Sequence, residues 1–153
     1  MKNSDRARRV RILVVCSLLC ALTVLGAYIR IPFAIPVTLQ LLFTNTSALL
    51  LGKKWGWIPP ALYLAIGLVG LPVFSTGGGI SSVLSLSFGF NIGFVAGGIV
   101  AGIVSDQNKS TPSLILSSIL NILCVYTLGS IYYLLMCNLY LGRPTTLIYS
   151  LYA

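Results

Sequence analysis

Gly67–Phe94 reads GLVGLPVFSTGGGISSVLSLSFGFNIGF, and the rest of the chain is organised around it. The stretch is apolar enough for a membrane, yet it is broken where a spanning helix would continue. Pro72 ends one helical run, and Gly77, Gly78 and Gly79 open the backbone. Ser75, Thr76, Ser81, Ser82, Ser85 and Ser87 bring hydroxyls, and no residue in the stretch is charged. Non-helical backbone at membrane depth is tolerated only where protein buries it or where it lines a cavity. The stretch is therefore expected to form the wall or floor of a binding site.

The surroundings agree with a membrane setting. Of 153 residues, 57% are hydrophobic and 8% charged, and the mean hydropathy is +0.96. A soluble domain carries about 25% charged residues. At roughly 20 residues per spanning helix, the chain has room for about five helices in one domain. The expected bounds are a basic cytoplasmic tail at 1–11 and a transmembrane domain at 12–153. Its helices are expected at about 12–29, 37–51, 55–70, 88–104 and 114–141, with the broken stretch as a loop at 71–87. Residues 1–29 also read as basic then apolar, like a signal peptide, but without a convincing cleavage site, so they are taken as an uncleaved first helix.

The net charge of +8 is not a nucleic-acid footprint, because the basic groups form no stripe along one face. With the N-terminus inside, Lys2, Arg6, Arg8, Arg9, Arg11, Lys53, Lys54 and Lys109 fall on inner flanks, against Arg30 and Arg143 outside. That bias orients the chain and puts the broken stretch on the outer side, where a site suits uptake. Trp55 and Trp57 beside Lys53 and Lys54 form an interfacial anchor. Ser17 with Ala21, and Thr23 with Ala27, have the small-xxx-small spacing that lets another helix approach. The approaching helix is either one of this chain or one of a partner. In the fourth helix Gly89, Gly93 and Gly97 recur every four residues, as do Gly98 and Gly102, so one face is almost bare.

Several chemistries are absent. There is no GxxxxGK[ST] phosphate loop, His, Glu or HExxH arrangement. Both acids, Asp5 and Asp106, lie in polar flanks, which argues against a carboxylate proton relay. The four cysteines, Cys16, Cys20, Cys124 and Cys137, sit in apolar runs without metal-ligand spacing. The expectation is a protein that is not an enzyme, with no cofactor or metal, that binds and translocates with energy supplied from elsewhere.

Five segments carry a family resemblance. GAYIRIPFAIPVTLQLLF (26–43) resembles the first loop and second helix of BioY proteins, the biotin-binding S components of energy-coupling factor (ECF) transporters. LLLGKKWG (49–56) looks like their second cytoplasmic turn. GLPVFSTGGG (70–79) and SFGFNIGFVAG (87–97) look like their central loop and fourth helix, and NLYLGRP (138–144) like the end of their fifth. The resemblance runs in order from about residue 12 to 153. It implies an all-α integral membrane protein, an S-component-like bundle of about five helices here against six in the family. It implies biotin as ligand near the outer face, and a prokaryotic cytoplasmic membrane. It also implies docking on a transmembrane coupling subunit that carries two cytoplasmic ATPases, with Ser17 and Ala21 as the docking residues.

Biotin then makes demands on the residues. Thr38, Gln40 and Asn91 suit its ureido group, and Phe74, Phe88 and Phe90 suit its ring. Gly77, Gly78 and Gly79 either approach the ligand, as a nest for its carboxylate, or only turn the chain. Arg30 either attracts the anion or only snorkels to the interface. Thr38 and Gln40 either contact ligand or cap the second helix. Two departures stand out: Leu86 occupies a position where the family usually has proline, and the sixth helix, with the acid and lysine the family directs at biotin, is missing by Ala153. The expectation is a truncated S component, impaired alone or completed by another polypeptide. Two rivals remain at this level: a membrane assembly protein whose glycine faces pack on partner helices, and a facilitator that works without ATPases.

Overall fold

The computed structural model describes residues 2–31, 37–74, 77–107 and 110–139. Five helices dominate: α1 (Lys2–Tyr28), α2 (Gln40–Trp55), α3 (Ile58–Val69), α4 (Phe88–Gln107) and α5 (Thr111–Leu139). A two-stranded ribbon of β1 (Arg30–Ile31) and β2 (Val37–Thr38) joins α1 to α2. It is antiparallel, with Arg30 opposite Thr38 and Ile31 opposite Val37. The α3–α4 connection contains one 3₁₀ turn, Ile80–Leu84.

Asp5–Tyr28, Phe88–Asp106 and Thr111–Leu139 are each long and apolar enough to cross a membrane. α3 has 12 residues, about 18 Å of helix against a hydrocarbon core of about 30 Å. The α3–α4 connection folds back onto α3 and seats Phe74 against Gly67 and Tyr63.

Some elements differ from the sequence expectation. The helix begins at Lys2, so residues 2–11 of the segment read as a tail extend α1. No Gly or Pro interrupts Lys2–Arg11, arginine and lysine are good helix formers, and Asp5 in the first turn complements the dipole. Val37 and Thr38 belong to the ribbon instead of the second helix. α2 runs on through Lys53, Lys54 and Trp55 across a kink at Gly52, and α3 starts only at Ile58, with Pro59 and Pro60 in its first turn. The run at 140–153, including Arg143 and most of NLYLGRP, lies outside the described residues, as do Ser75, Thr76 and Lys109.

Glycines set the packing order. On α4, Gly89, Gly93 and Gly97 press against Tyr132, Val125 and Asn121 of α5, and a Cβ on Gly93 would come within 2.9 Å of the Val125 backbone. Gly98 and Gly102 face the α2–α3 turn, where a Cβ on Gly102 would sit 2.9 Å from the Gly52 carbonyl carbon. Both glycine faces of α4 are thus filled from within the chain. The assembly-protein reading, which needed a bare face for a partner, loses its motive. α1 packs on α2 and α3, and α2 also packs on α4.

The same logic separates the two small-residue pairs of α1. Thr23 and Ala27 are fully buried, and Ser17 and Ala21 are exposed. Val10, Leu13, Val14, Leu18 and Leu25 share that exposure, as apolar side chains facing lipid do.

A polar seam ties the middle of the bundle. The Asn121 amide donates to Asn45 Oδ1 at 3.0 Å, and the Asn45 amide donates to Ser118 Oγ at 3.0 Å. Ser117 donates to the Ala101 carbonyl at 2.6 Å. Such bonds hold helices together where no hydrophobic force does.

Candidate functional site

The ribbon end of the bundle gathers most of the residues singled out above. It begins with Gly26, whose missing side chain lets the start of α2 rest on α1: a Cβ there would fall 2.9 Å from the Gln40 nitrogen. The ribbon then delivers Thr38 and Gln40 beside α3. Leu39 is the N-cap of α2 and no side chain caps it, so Thr38 and Gln40 are not capping residues. Thr38 Oγ1 donates to Gln40 Oε1 over a long 3.5 Å. Gln40 is 6% exposed, its carboxamide lies within reach of the Tyr63 hydroxyl, and its Nε2 meets no acceptor in good hydrogen-bond geometry.

Around this amide is an aromatic cluster. Phe74 is 3% exposed. Its ring meets Tyr63 edge-on with centroids 5.3 Å apart, and Phe88 edge-on at 6.2 Å, the geometry that aromatic quadrupoles favour. Gly67 lies under the Phe74 ring, which occupies the space of its missing Cβ. Cys20 closes the cluster from α1.

Phe74 reaches this position because its loop is knotted by its own backbone. Phe74 and Gly77 exchange hydrogen bonds at 2.9 and 3.0 Å, and the Gly79 amide donates to the Gly67 carbonyl at 2.8 Å. Gly78 is pressed against the Leu71 carbonyl. These bonds engage two of the three amides that a carboxylate nest would use, so Gly77 and Gly79 act as turn formers here.

Other expected residues are placed apart. Phe90 turns toward α5, edge-on to Tyr126 at 6.0 Å and over Gly129, away from Phe74 and Phe88. Asn91 is half-buried, two helical turns before Gly98 on the face of α4 that meets α2 and α3. Arg30 is located by its backbone pairing with Thr38, and its side chain lies outside the described residues. A groove of about 140 Å³ between α4 and α5, lined by Gly89, Ile92, Leu128, Ile131, Tyr132 and Leu135, has no convergent polar groups to orient a ureido ligand.

The model of the BioY family matches residues 1–152. This chain belongs to the BioY family. It is 38% identical over 137 residues to the "Probable biotin transporter BioY" of Lysinibacillus sphaericus, covering 88% of this chain and 70% of that protein. It is 35% identical over 122 residues to the "Biotin transporter BioY" of Thermotoga maritima, covering 78% and 72%. Among solved structures it resembles the S-component for biotin from an ECF-type ABC transporter, with a TM-score of 0.79 and 26% identity over 95% of this chain and 79% of that one. The BioY-family chain therefore has the S-component fold and is a membrane protein of a transporter family.

One set of residues at the ribbon end escaped the sequence reading. Tyr28, Tyr63 and Tyr132 come from three helices and donate their hydroxyls to carbonyls of the α3–α4 connection, at Pro72, Val73 and Val83. Tyr28 closes the first apolar run, where an amphipathic ring belongs, but Tyr63 in the middle of α3 and Tyr132 inside α5 carried no such positional signal.

Proposed function

We propose that this chain is the biotin-binding S component of an ECF-type transporter and takes biotin at the ribbon end. The observation that carries the reading is Gln40: an almost wholly buried carboxamide whose Nε2 meets no acceptor in good hydrogen-bond geometry, with the Tyr63 hydroxyl beside it. A buried unpaired donor costs about 1–3 kcal/mol, and a ureido carbonyl is the kind of group that would satisfy it. Thr38 serves the same ureido group, whereas Asn91, set apart on α4, is left outside this contact. Phe74 walls the thiophane ring, and Phe90 stiffens the start of α4 from the α5 side. Gly77, Gly78 and Gly79 bring loop backbone close over the ligand, and Arg30 attracts its carboxylate.

Membership of the family, the transport named for its members and the positive-inside bias support the wider reading. The N-terminus lies in the cytoplasm, the ribbon end faces outward, and the membrane is a prokaryotic cytoplasmic membrane. Partners are the transmembrane coupling subunit and two ATPases, met through the exposed Ser17–Ala21 face. The chain itself catalyses no reaction.

The test is equilibrium binding of labelled biotin to the 153-residue chain in nanodiscs, beside Gln40→Leu. Saturable binding competed by unlabelled biotin and weakened at least roughly tenfold by Gln40→Leu is expected. Equal binding by the two chains would remove Gln40 from the site. Competition by riboflavin or thiamine but not by biotin would reject the substrate.

A further inference from the structure

The end of the bundle opposite the ribbon is strongly basic. α1 begins there and α2 ends there, because the ribbon joins their other ends. α1 runs as one helix from Lys2 to Tyr28. Residues 12–28 make about 26 Å of it, close to a hydrocarbon thickness of about 30 Å. Val10, Leu13, Val14 and Leu18 are exposed and set the depth at which that part sits in lipid. Arg6, Arg8, Arg9 and Arg11 are exposed just beyond it, over about 8 Å of axis. A headgroup layer is about that thick.

These arginines form a collar and not a stripe. At about 100° per residue, Arg8, Arg9 and Arg11 stand about 200°, 300° and 140° round the axis from Arg6, so no empty arc reaches half a turn. An acidic helix or groove of a protein would meet one side of α1 and leave the other cations unmatched. A layer of phosphodiesters meets every side that the bundle leaves open, and the guanidinium fork suits a phosphate. Asp5, one turn before Arg8 and Arg9, offsets part of this charge and leaves a net positive collar.

The α2–α3 turn repeats the chemistry at the same end. Lys53 and Lys54 are exposed, and Trp57 is 38% exposed. The turn is already held in shape. Gly52 breaks α2 at φ 67°, Gly102 of α4 packs on its carbonyl, and Ser47 donates to the Gly56 carbonyl at 2.7 Å. Two ammonium groups beside an exposed indole put charge at the level of the phosphates and a ring at the interface below them.

We infer that the collar at 6–11 and the turn at 53–57 bind the phosphodiester headgroups of anionic glycerophospholipids. Charge complementarity carries the choice of occupant, and the encircling placement of the arginines favours a lipid layer over a protein. This surface lies at the far end of the bundle from Gln40, so it stands whatever ligand the ribbon end takes.

The experiment offers the full chain equimolar phosphatidylglycerol and phosphatidylcholine in detergent and reads the retained lipids by mass spectrometry of the intact complex. A second readout is quenching by phosphatidylglycerol with brominated acyl chains in phosphatidylcholine vesicles. Trp55 and Trp57, the two tryptophans of the chain, both report from the α2–α3 turn. Arg8→Gln/Arg11→Gln and Lys53→Gln/Lys54→Gln are compared with the parent chain. Each leaves other cations in place to orient the helices. Phosphatidylglycerol is expected to be preferred at least roughly fivefold at low salt, the effect of about one basic residue near an anionic surface, and to lose that preference at about 1 M salt. Each double variant should lower the preference at least roughly twofold, and Arg8→Lys/Arg11→Lys should retain more of it than the glutamine pair. Equal retention of the two lipids by the parent chain overturns the inference, as does a preference that neither glutamine pair alters. Displacement of phosphatidylglycerol by millimolar glycerol phosphate would reduce the surface to a site for a free ion. Tighter retention of a polyglutamate peptide than of the lipid would assign it to an acidic protein; either result rejects the lipid.

Discussion

Phe74 lies across Gly67, its ring filling the volume where a side chain on Gly67 would begin. One residue of α3 thereby sets the depth of the loop that follows it. Gly67→Ala is expected to push the ring out of the Tyr63–Phe88 cluster, at a cost of about 1–3 kcal/mol for an overfilled core. Biotin binding should weaken with it. The paired variant Gly67→Ala/Phe74→Leu, which frees the space, should recover part of the thermal stability. A single variant that melts and binds like the parent chain would show that Phe74 is not seated by Gly67.

Gly77 and Gly78 are neighbours with different sensitivities. A Cβ on Gly78 would run into the Leu71 carbonyl, which is backbone and cannot swing aside. A Cβ on Gly77 would meet nothing within 4 Å, and the only obstacle there is φ at 113°, a strain of about 1–3 kcal/mol. Gly78→Ala should therefore lower the melting temperature more than Gly77→Ala. For the same reason a bulky residue at Gly78 breaks the loop whatever the protein binds, and is a poor probe of ligand contact. Equal melting curves for the two alanine variants would contradict this ranking.

How far the sequence could be read depends on the range of each contact. The helices were legible because apolar composition and Gly, Pro and charge punctuation are local properties. The Gly89–Gly93–Gly97 and Gly98–Gly102 spacings announced two bare faces on α4, though spacing alone did not say that α5 and the α2–α3 turn fill them. Thr38 was misplaced in a helix because the pairing that makes it ribbon, with Arg30, crosses a loop. Phe90 and Phe88 are two residues apart and point to different neighbours, which the rotation of about 100° per residue predicts only once the neighbours are known. The Tyr28–Pro72 and Tyr132–Val83 tethers span 44 and 49 residues, beyond any periodic signal. The extension of α1 to Lys2 was missed because positive charge was equated with a tail.

The Asn45–Asn121 pair is expected to be worth measurable energy inside the bilayer. Asn121 is fully buried, with its amide on Asn45 and its Oδ1 against Gly97 in place of a hydrogen-bond donor. A double-mutant cycle of Asn45→Ala and Asn121→Ala, read by reversible unfolding in bicelles, should give a coupling of about 0.6–1.7 kcal/mol, the range of interhelical bonds in membranes. Additive effects would mean that the two amides do not hold α2 to α5.

The two small-residue pairs of α1 make opposite predictions. Ser17 and Ala21 face outward, and the Ser17 hydroxyl donates to Leu13 of its own helix at 3.0 Å, so no other helix depends on it. Ser17→Leu/Ala21→Leu should change stability by no more than about 0.5 kcal/mol, as surface substitutions usually do, and should leave biotin affinity intact. Co-purification with the coupling subunit should nevertheless be lost, because two leucines keep a partner helix at a distance. Thr23 and Ala27 are buried against the bundle, so Ala27→Leu should cost about 1–3 kcal/mol of overpacking and reduce folded yield before any partner is met. If the outward pair can be replaced and the complex still forms at the parent yield, the docking face lies elsewhere. If the outward pair instead lowers the melting temperature as much as Ala27→Leu does, Ser17 and Ala21 pack within the chain and α1 is not free to meet a partner on that side.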